Sequence, residues 1–335
     1  MKTPTPIAEI VGTGRFLPDN VVTNDDLAQR MDTSDEWIRT RTGIRERRIA
    51  PDGMHTAHLG AEAAKQAMEE AGVEPGEVDI LIVSTATPDR WLPSTACDIQ
   101  ALLGCDNAVA FDVMAACTGH IYGLSMAEGY IAAGRAEVAL VVAAEKMSAI
   151  VDWTDRTTAV LFGDGGGAAV LRPSNGSGRG IISSHLQSDG KLAELLYRPG
   201  GGAIEPISQS MLDNGRHLLH MHGREIFKNA VRSMAEACDI AMSKAGLTSS
   251  DIDLLVPHQA NIRIIDAMQK KMQLPSEKVI RTVAAHANTS AASIPLALAT
   301  AVGDGRVQNG DLLAMEAIGG GLVWGAALVK FGRPS

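Results

Sequence analysis

Aromatic residues are scarce in this chain: five Phe, four Trp and three Tyr among 335 positions. With 34 glycines and 45% hydrophobic residues, that balance suits a tightly packed α/β protein with many short turns. Cysteine is also scarce. Cys97, Cys105, Cys117 and Cys238 show no CxxC spacing, which argues against zinc ribbons and disulfide frameworks and predicts a reduced, cytoplasmic protein. No apolar run approaches the roughly 20 residues needed to span a bilayer. The first residues, MKTPTPIAEIVGTG, lack the long apolar core of a signal peptide. Positive charge is in deficit, 30 Lys and Arg against 39 Asp and Glu, a net −9 that argues against general nucleic-acid binding. No long run of one sign and no Ser/Gly linker divides the chain. Its length suffices for one large core or two fused ones.

The chain does contain an internal echo. KQAMEEAGVEPGEVDILIV matches DIAMSKAGLTSSDIDLLVP with Ala67, Ala71 and Val78 facing Ala241, Ala245 and Ile252, an offset of 174 each time. Both copies predict an amphipathic helix, a glycine stop, a short loop and a buried strand. GAAVLR from Gly167 echoes GAALVK from Gly325 at an offset of 158. Gly134-Arg135 and Gly305-Arg306 each close a helix, and 305−134 equals 288−117, or 171. Cys117 and Asn288 therefore occupy equivalent corners of two pseudo-symmetric α/β halves, taken as residues 1–180 and 181–335. Packing about a pseudo-twofold axis brings such corners toward a common centre.

Cys117 lies in FDVMAACTGHIYGL. Ala110–Val113 reads as a strand, Ala115 and Ala116 as a tight corner, and Ile121, Leu124 and Ala127 have helical spacing. A cysteine at a helix N-terminus feels the positive end of the dipole, which favours thiolate and lowers a pKa from about 8.5 toward roughly 4–7 in known cases. A buried structural cysteine is the plainer alternative. His258 follows a predicted strand in LLVPHQANIRII, with Pro257 fixing the chain before it. It sits at a strand–helix mouth, where α/β sites collect. Asn288 lies in the small-residue stretch HANTSAASIP, and Gly319–Gly321 allows close backbone approach to a substrate oxygen. A thiolate accepts an acyl group, and an imidazole and a carboxamide donate to one thioester carbonyl and stabilise an enolate. A Cys–His–Asn hydrolase uses the same residue types, so types alone leave both chemistries open.

Longer motifs add to this reading. TSDEWIRTRTGIRERR from Thr33, AFDVMAACTG from Ala110, FGDGGGAAVL from Phe162, VPHQANIRII from Val256, HANTSAAS from His286 and GGGLVWGAALVKF from Gly319 resemble the β-ketoacyl-acyl-carrier-protein synthase III family nearly end to end. These are the initiating condensing enzymes of bacterial type II fatty acid synthesis. The resemblance implies the thiolase fold, an α-β-α-β-α sandwich of two halves, in a homodimer. It implies Cys117 as the acylated nucleophile, His258 and Asn288 as the decarboxylation pair, and the Cys117 and Gly320 amides as the oxyanion hole. Trp37 and Arg156 match the family's adenine sandwich, with Thr33, Arg41, Gly223 and Asn261 along the coenzyme A tunnel. Without the resemblance, Trp37 reads as a surface staple on a short helix capped by Thr33-x-x-Glu36. The segment Gln259, Ala260, Asn261, Ile262 and Arg263 matches the carrier-binding region, and Lys270 and Lys271 extend a basic face suited to an acidic carrier. The implied substrates are an acyl-CoA, foremost acetyl-CoA, and malonyl-acyl carrier protein. No permanently bound cofactor, metal, nucleic acid or membrane is implied.

Three positions depart from the enterobacterial pattern. Ile318 and Leu92 stand where phenylalanines are common in the family, Ile318 next to the glycine loop and Leu92 at the acyl pocket that the resemblance implies is contributed across the dimer, and His120 stands where an apolar residue is usual. Leu92 thus leaves room for primers longer than acetyl. Arg90 reads as a solvated loop residue. GTGRFL lacks the third glycine of a dinucleotide loop, and Gly163-x-Gly165-x-x-Ala168 fits that pattern but runs into AAVLR, which reads as a strand rather than a helix. His220 and His222 are expected to share a strand face, with His217 nearby but without zinc-ligand spacing. Rival readings are a same-fold condensing enzyme or acyltransferase of specialised metabolism or a pimelate-type pathway, and a non-catalytic carrier-binding scaffold.

Overall fold

The computed structural model describes residues 4–332. Its two main sheets divide along the chain. The first has strand order Ala8–Phe16, Gly165–Pro173, Ala139–Glu145, Ile80–Ser84 and Val109–Val113. The second has the order Leu254–Pro257, Leu312–Gly319, Val323–Lys330 and Gly180–Ser188. Both mix parallel and antiparallel pairs.

Alternation along the strands dictates the layers, because successive side chains leave opposite faces of a sheet. Ile80 and Ile82 point inward, to a core shared with Val256, Leu313 and Met315 of the second sheet. Leu81 and Val83 point outward, under Thr56–Ala71 and Thr95–Leu103. Between the sheets lie Gly119–Ala132 and Ser293–Gly303, contributing Ile121, Leu124, Ile294 and Leu298. Gly223–Ala245 and Ile262–Lys271 cover the outer face of the second sheet through Met234, Cys238, Ile265 and Met268. The result is helix, sheet, helix, sheet, helix, the layering expected of a thiolase fold.

The internal echo is structural. Gly72 and Gly246 both end their helices in the left-handed region, at φ 60° and 68°. Gly134 and Gly305 follow suit at 64° and 73°. Ala116 and Ala287, also 171 apart, both take positive φ, 43° and 57°. An alanine there is strained, and each strained corner immediately precedes a sequence-predicted reactive residue, Cys117 or Asn288. The symmetry is incomplete. The counterpart of Val109–Val113 in the second half has shrunk to a single bridge, Leu255 to Val279.

Two local expectations fail. The helix Asp35–Thr42 is capped by Ser34, not Thr33: Ser34 Oγ accepts from Trp37 N at 3.1 Å. His220 and His222 share no strand face, because the strand there is only His220–Met221 and His222 starts the next helix. Among the described residues, no helix is long and apolar enough to cross a membrane.

Candidate active site

Cys117 sits in a 3-10 turn, Ala116–Thr118, that leads into the helix Gly119–Ala132. The end of strand Leu312–Gly319 backs onto this corner. A Cβ on Gly319 would stand 2.6 Å from the Cys117 amide nitrogen, so only glycine fits. The sulfur is buried, at 6% exposure. Its Sγ is 3.7 Å from Ser290 Oγ, which in turn donates to Glu145 Oε1 at 2.8 Å. Glu145 also accepts from Thr87 Oγ1 at 2.6 Å and from the Ala86 and Ala291 amides. This buried carboxyl thus ties the first sheet to the loop carrying Asn288, while burial raises its pKa.

The thiolate expectation is corrected here. Burial pushes the Cys117 thiol up to about 12, with Ser290 partly offsetting this and Glu145 adding to it. The resting group is a neutral thiol. Exclusion of water is the largest cause of that rise.

Asn288 and His258 have fixed polarity. The Ser290 N–H donates to Asn288 Oδ1 at 2.9 Å. That occupies the carboxamide oxygen and leaves the NH₂ as the available donor. His258 is buried, and burial lowers its pKa to about 3, so the ring is neutral at any physiological pH. Its backbone is anchored through N–H to Glu316 O at 2.8 Å, and Nδ1 lies 2.6 Å from Ser293 Oγ.

All three side chains line one cavity of about 710 Å³, together with Ile318, Phe162 and Leu196. The same cavity runs outward past Asn261, Gly223, Arg41 and Arg156 to Trp37. At the mouth, the guanidinium carbons of Arg41 and Arg156 lie 4.5 and 5.1 Å from the Trp37 ring centroid. Arg156 is further held by Asp32 O at 2.9 Å. Sequence reasoning missed the basic residues Arg224 and Lys228, which line the same channel, and the apolar wall of Phe227 and Met221.

Other sequence-predicted residues fall outside this channel. Leu92 is 86% exposed and lines no part of it. Thr33 and Gly320 are likewise not among its walls. Gln259 is only 1% exposed, and its amide is saturated. Its Nε2 donates to Pro257 O and Ile280 O, and its Oε1 accepts from Thr282 N and Val283 N. Gln259 is therefore a loop staple rather than a surface contact, and Ala260 is buried with it. Arg263, Lys270 and Lys271 remain exposed. Arg90 pairs with Asp98 at the surface.

His120 is fully buried with neither ring nitrogen hydrogen-bonded, and burial lowers its pKa to about 3. Between this value and the ordinary 6.5, the unfolded chain binds a proton that the folded chain refuses. Stability therefore falls as pH drops below 6.5. At pH 5, 1.5 units below, the loss is about 2 kcal/mol for this one histidine. We expect His120→Leu to flatten the decline in urea midpoint between pH 7 and 5. An unchanged slope would contradict the burial argument.

A neutral thiol, a neutral imidazole and a carboxamide lining one channel in this layered α/β fold suit an acyltransferase-type condensing enzyme of the thiolase fold. Comparison narrows this. Residues 111–190 match the model of 3-oxoacyl-[acyl-carrier-protein (ACP)] synthase III, and residues 242–331 match the model of its C-terminal region. The chain is 50% identical over 327 residues to the beta-ketoacyl-[acyl-carrier-protein] synthase III of Paramagnetospirillum magneticum, covering 96% of this chain and 98% of that one. The crystal structure of the Aquifex aeolicus 3-oxoacyl-[acyl-carrier-protein] synthase III superposes with a TM-score of 0.90 at 46% identity, covering 97% and 100%. A priming β-ketosynthase of the R1128 polyketide pathway superposes with a TM-score of 0.91 at 36% identity, covering 100% and 99%. The chain belongs to the 3-oxoacyl-[acyl-carrier-protein] synthase III family.

Proposed function

We propose that the protein initiates fatty acid synthesis by a decarboxylative Claisen condensation. The Cys117 sulfur attacks the thioester carbonyl of an acyl-CoA, foremost acetyl-CoA. A sulfur–carbon bond forms, the carbon–sulfur bond to coenzyme A breaks, and the thiol proton leaves with coenzyme A. Malonyl-acyl carrier protein then loses its carboxylate as CO₂. His258 and Asn288 donate to its thioester oxygen, stabilising the enolate, so no base has to remove a carbon-bound proton. The enolate carbon attacks the acyl-Cys117 carbonyl, held by the Cys117 and Gly320 amides. The sulfur leaves and is reprotonated, and 3-oxoacyl-acyl carrier protein is released. The observation that carries this reading is the single channel joining the Trp37–Arg156 mouth to the three polar groups.

At the mouth, Trp37 and Arg156 take the adenine of coenzyme A between them. Two layers at van der Waals contact need about 7 Å, more than the present 5.1 Å, so the guanidinium swings outward on binding. Arg41, Gly223 and Asn261, which line the channel, contact the rest of the nucleotide and its arm. Trp37→Ala should raise KM for acyl-CoA roughly tenfold, about 1.4 kcal/mol, with kcat held. Steady-state kinetics check this, and an unchanged KM would remove Trp37 from the binding site.

The carrier docks on the exposed Arg263, Lys270 and Lys271, which continue the basic rim of Arg224 and Lys228. The homodimer forms along the edge strand Val109–Val113, next to exposed Val109 and Met114. It brings Leu92 of the partner subunit toward the acyl end beside Ile318. The R1128 relative keeps a second reading open, a priming step of polyketide synthesis. Incubation with a panel of acyl-CoAs and malonyl-carrier protein, with products read by mass spectrometry, separates the two. Acetoacetyl-carrier protein as the main product supports the first, and selective use of longer primers supports the second.

A further inference from the structure

His258 serves the condensation only if its Nε2 carries the ring proton, and burial alone does not choose between the two neutral tautomers. The choice is made one helix away. Ser293 Oγ lies 2.6 Å from His258 Nδ1 and accepts the Gln259 backbone N–H at 3.3 Å. That N–H is held in place because the Gln259 side chain is pinned by its four hydrogen bonds. A serine hydroxyl has one proton to give. Among the described residues, His258 Nδ1 is the acceptor within hydrogen-bond distance of it. With the Gln259 amide donating into the oxygen, the arrangement that leaves no donor without an acceptor sends the hydroxyl proton to a bare Nδ1.

We propose that Ser293 is a positioning residue that locks His258 in the Nε2–H tautomer, so that the ring presents a donor to the channel. Ser293 touches no substrate; it acts through the imidazole. The opposite tautomer would direct a lone pair at the thioester oxygen and repel it. Gln259 thereby has a function different from the one its sequence context suggested. It holds the amide that keeps the serine hydroxyl turned toward the histidine.

The proposal rests on the condensation reading above, and its test separates the two. In protein labelled with ¹⁵N-histidine, the ring nitrogens of His258 report the tautomer without any substrate present. Wild-type protein should show a protonated Nε2 and a bare Nδ1. Ser293→Ala should give a mixture of tautomers, release CO₂ from malonyl-carrier protein roughly 10–100-fold more slowly, and still acquire an acyl group on Cys117. Ser293→Thr, which keeps the hydroxyl, should restore both the spectrum and the rate. A wild-type ring protonated on Nδ1 would overturn the proposal. So would Ser293→Ala with an unchanged spectrum and full decarboxylation, or Ser293→Thr as slow as alanine. Wild-type protein that releases no CO₂ would instead sink the condensation reading, and the spectrum would still decide the tautomer.

Discussion

Cys117→Ala is expected to leave no acyl adduct on the protein after incubation with acyl-CoA, and to lower condensation by at least about 10³-fold, in line with loss of a covalent nucleophile elsewhere. Intact-protein mass spectrometry reads the adduct directly. The nearest hydroxyl, Ser290, already donates to Glu145. Cys117→Ser should fail almost as completely. A hydroxyl is the poorer nucleophile and faces the same dry surroundings, which already push the thiol up to about 12. An acyl adduct in Cys117→Ala, on any residue, would end the assignment. The neutral resting thiol also sets a pH expectation. Its ionisation lies far above neutrality, so the acylation rate should show no step between pH 6 and 8 from this group.

The second large effect falls on the other half-reaction. His258→Ala or Asn288→Ala should keep acylation of Cys117 within a few-fold while slowing CO₂ release from malonyl-carrier protein roughly 10²–10³-fold, the usual scale for losing one donor to a developing oxyanion. The two variants should not be additive, because both groups address one oxygen. Burial holds His258 down to about 3, so the imidazole is a neutral donor between pH 6 and 8. Decarboxylation should therefore not fall as pH rises from 6 to 8 through loss of an imidazolium. Equal losses in both half-reactions would contradict the division of roles. So would a His258-dependent titration near 6.5.

Much of the architecture was legible because folding repeats local physics. Two amphipathic helices ending in left-handed glycines, each followed by a buried strand, could be aligned from sequence alone. The offset of 171 that paired Cys117 with Asn288 also pairs the strained Ala116 and Ala287. The same offset pairs Glu145 with Glu316, both buried acids on apolar strands.

What failed in the sequence reading failed for one reason. Gln259 matched a carrier-binding segment, but four backbone groups from two segments close around its side chain. Thr33 resembled a helix cap, but the chain direction gave that place to Ser34. Cys117 looked ionised because a helix dipole is a local property, whereas its burial depends on the first sheet, the second sheet and the Asn288 loop meeting over it.

The order of residues by itself determined that this protein has two like α/β halves and a cysteine and an asparagine at matched corners. Periodicity, glycine stops and repeat spacing are written along one dimension. Only the tertiary structure decided the protonation of the thiol and the contact of Ser293 with His258. Those depend on which surfaces exclude water and which groups meet across segments up to about 170 residues apart, and no local pattern carries that information.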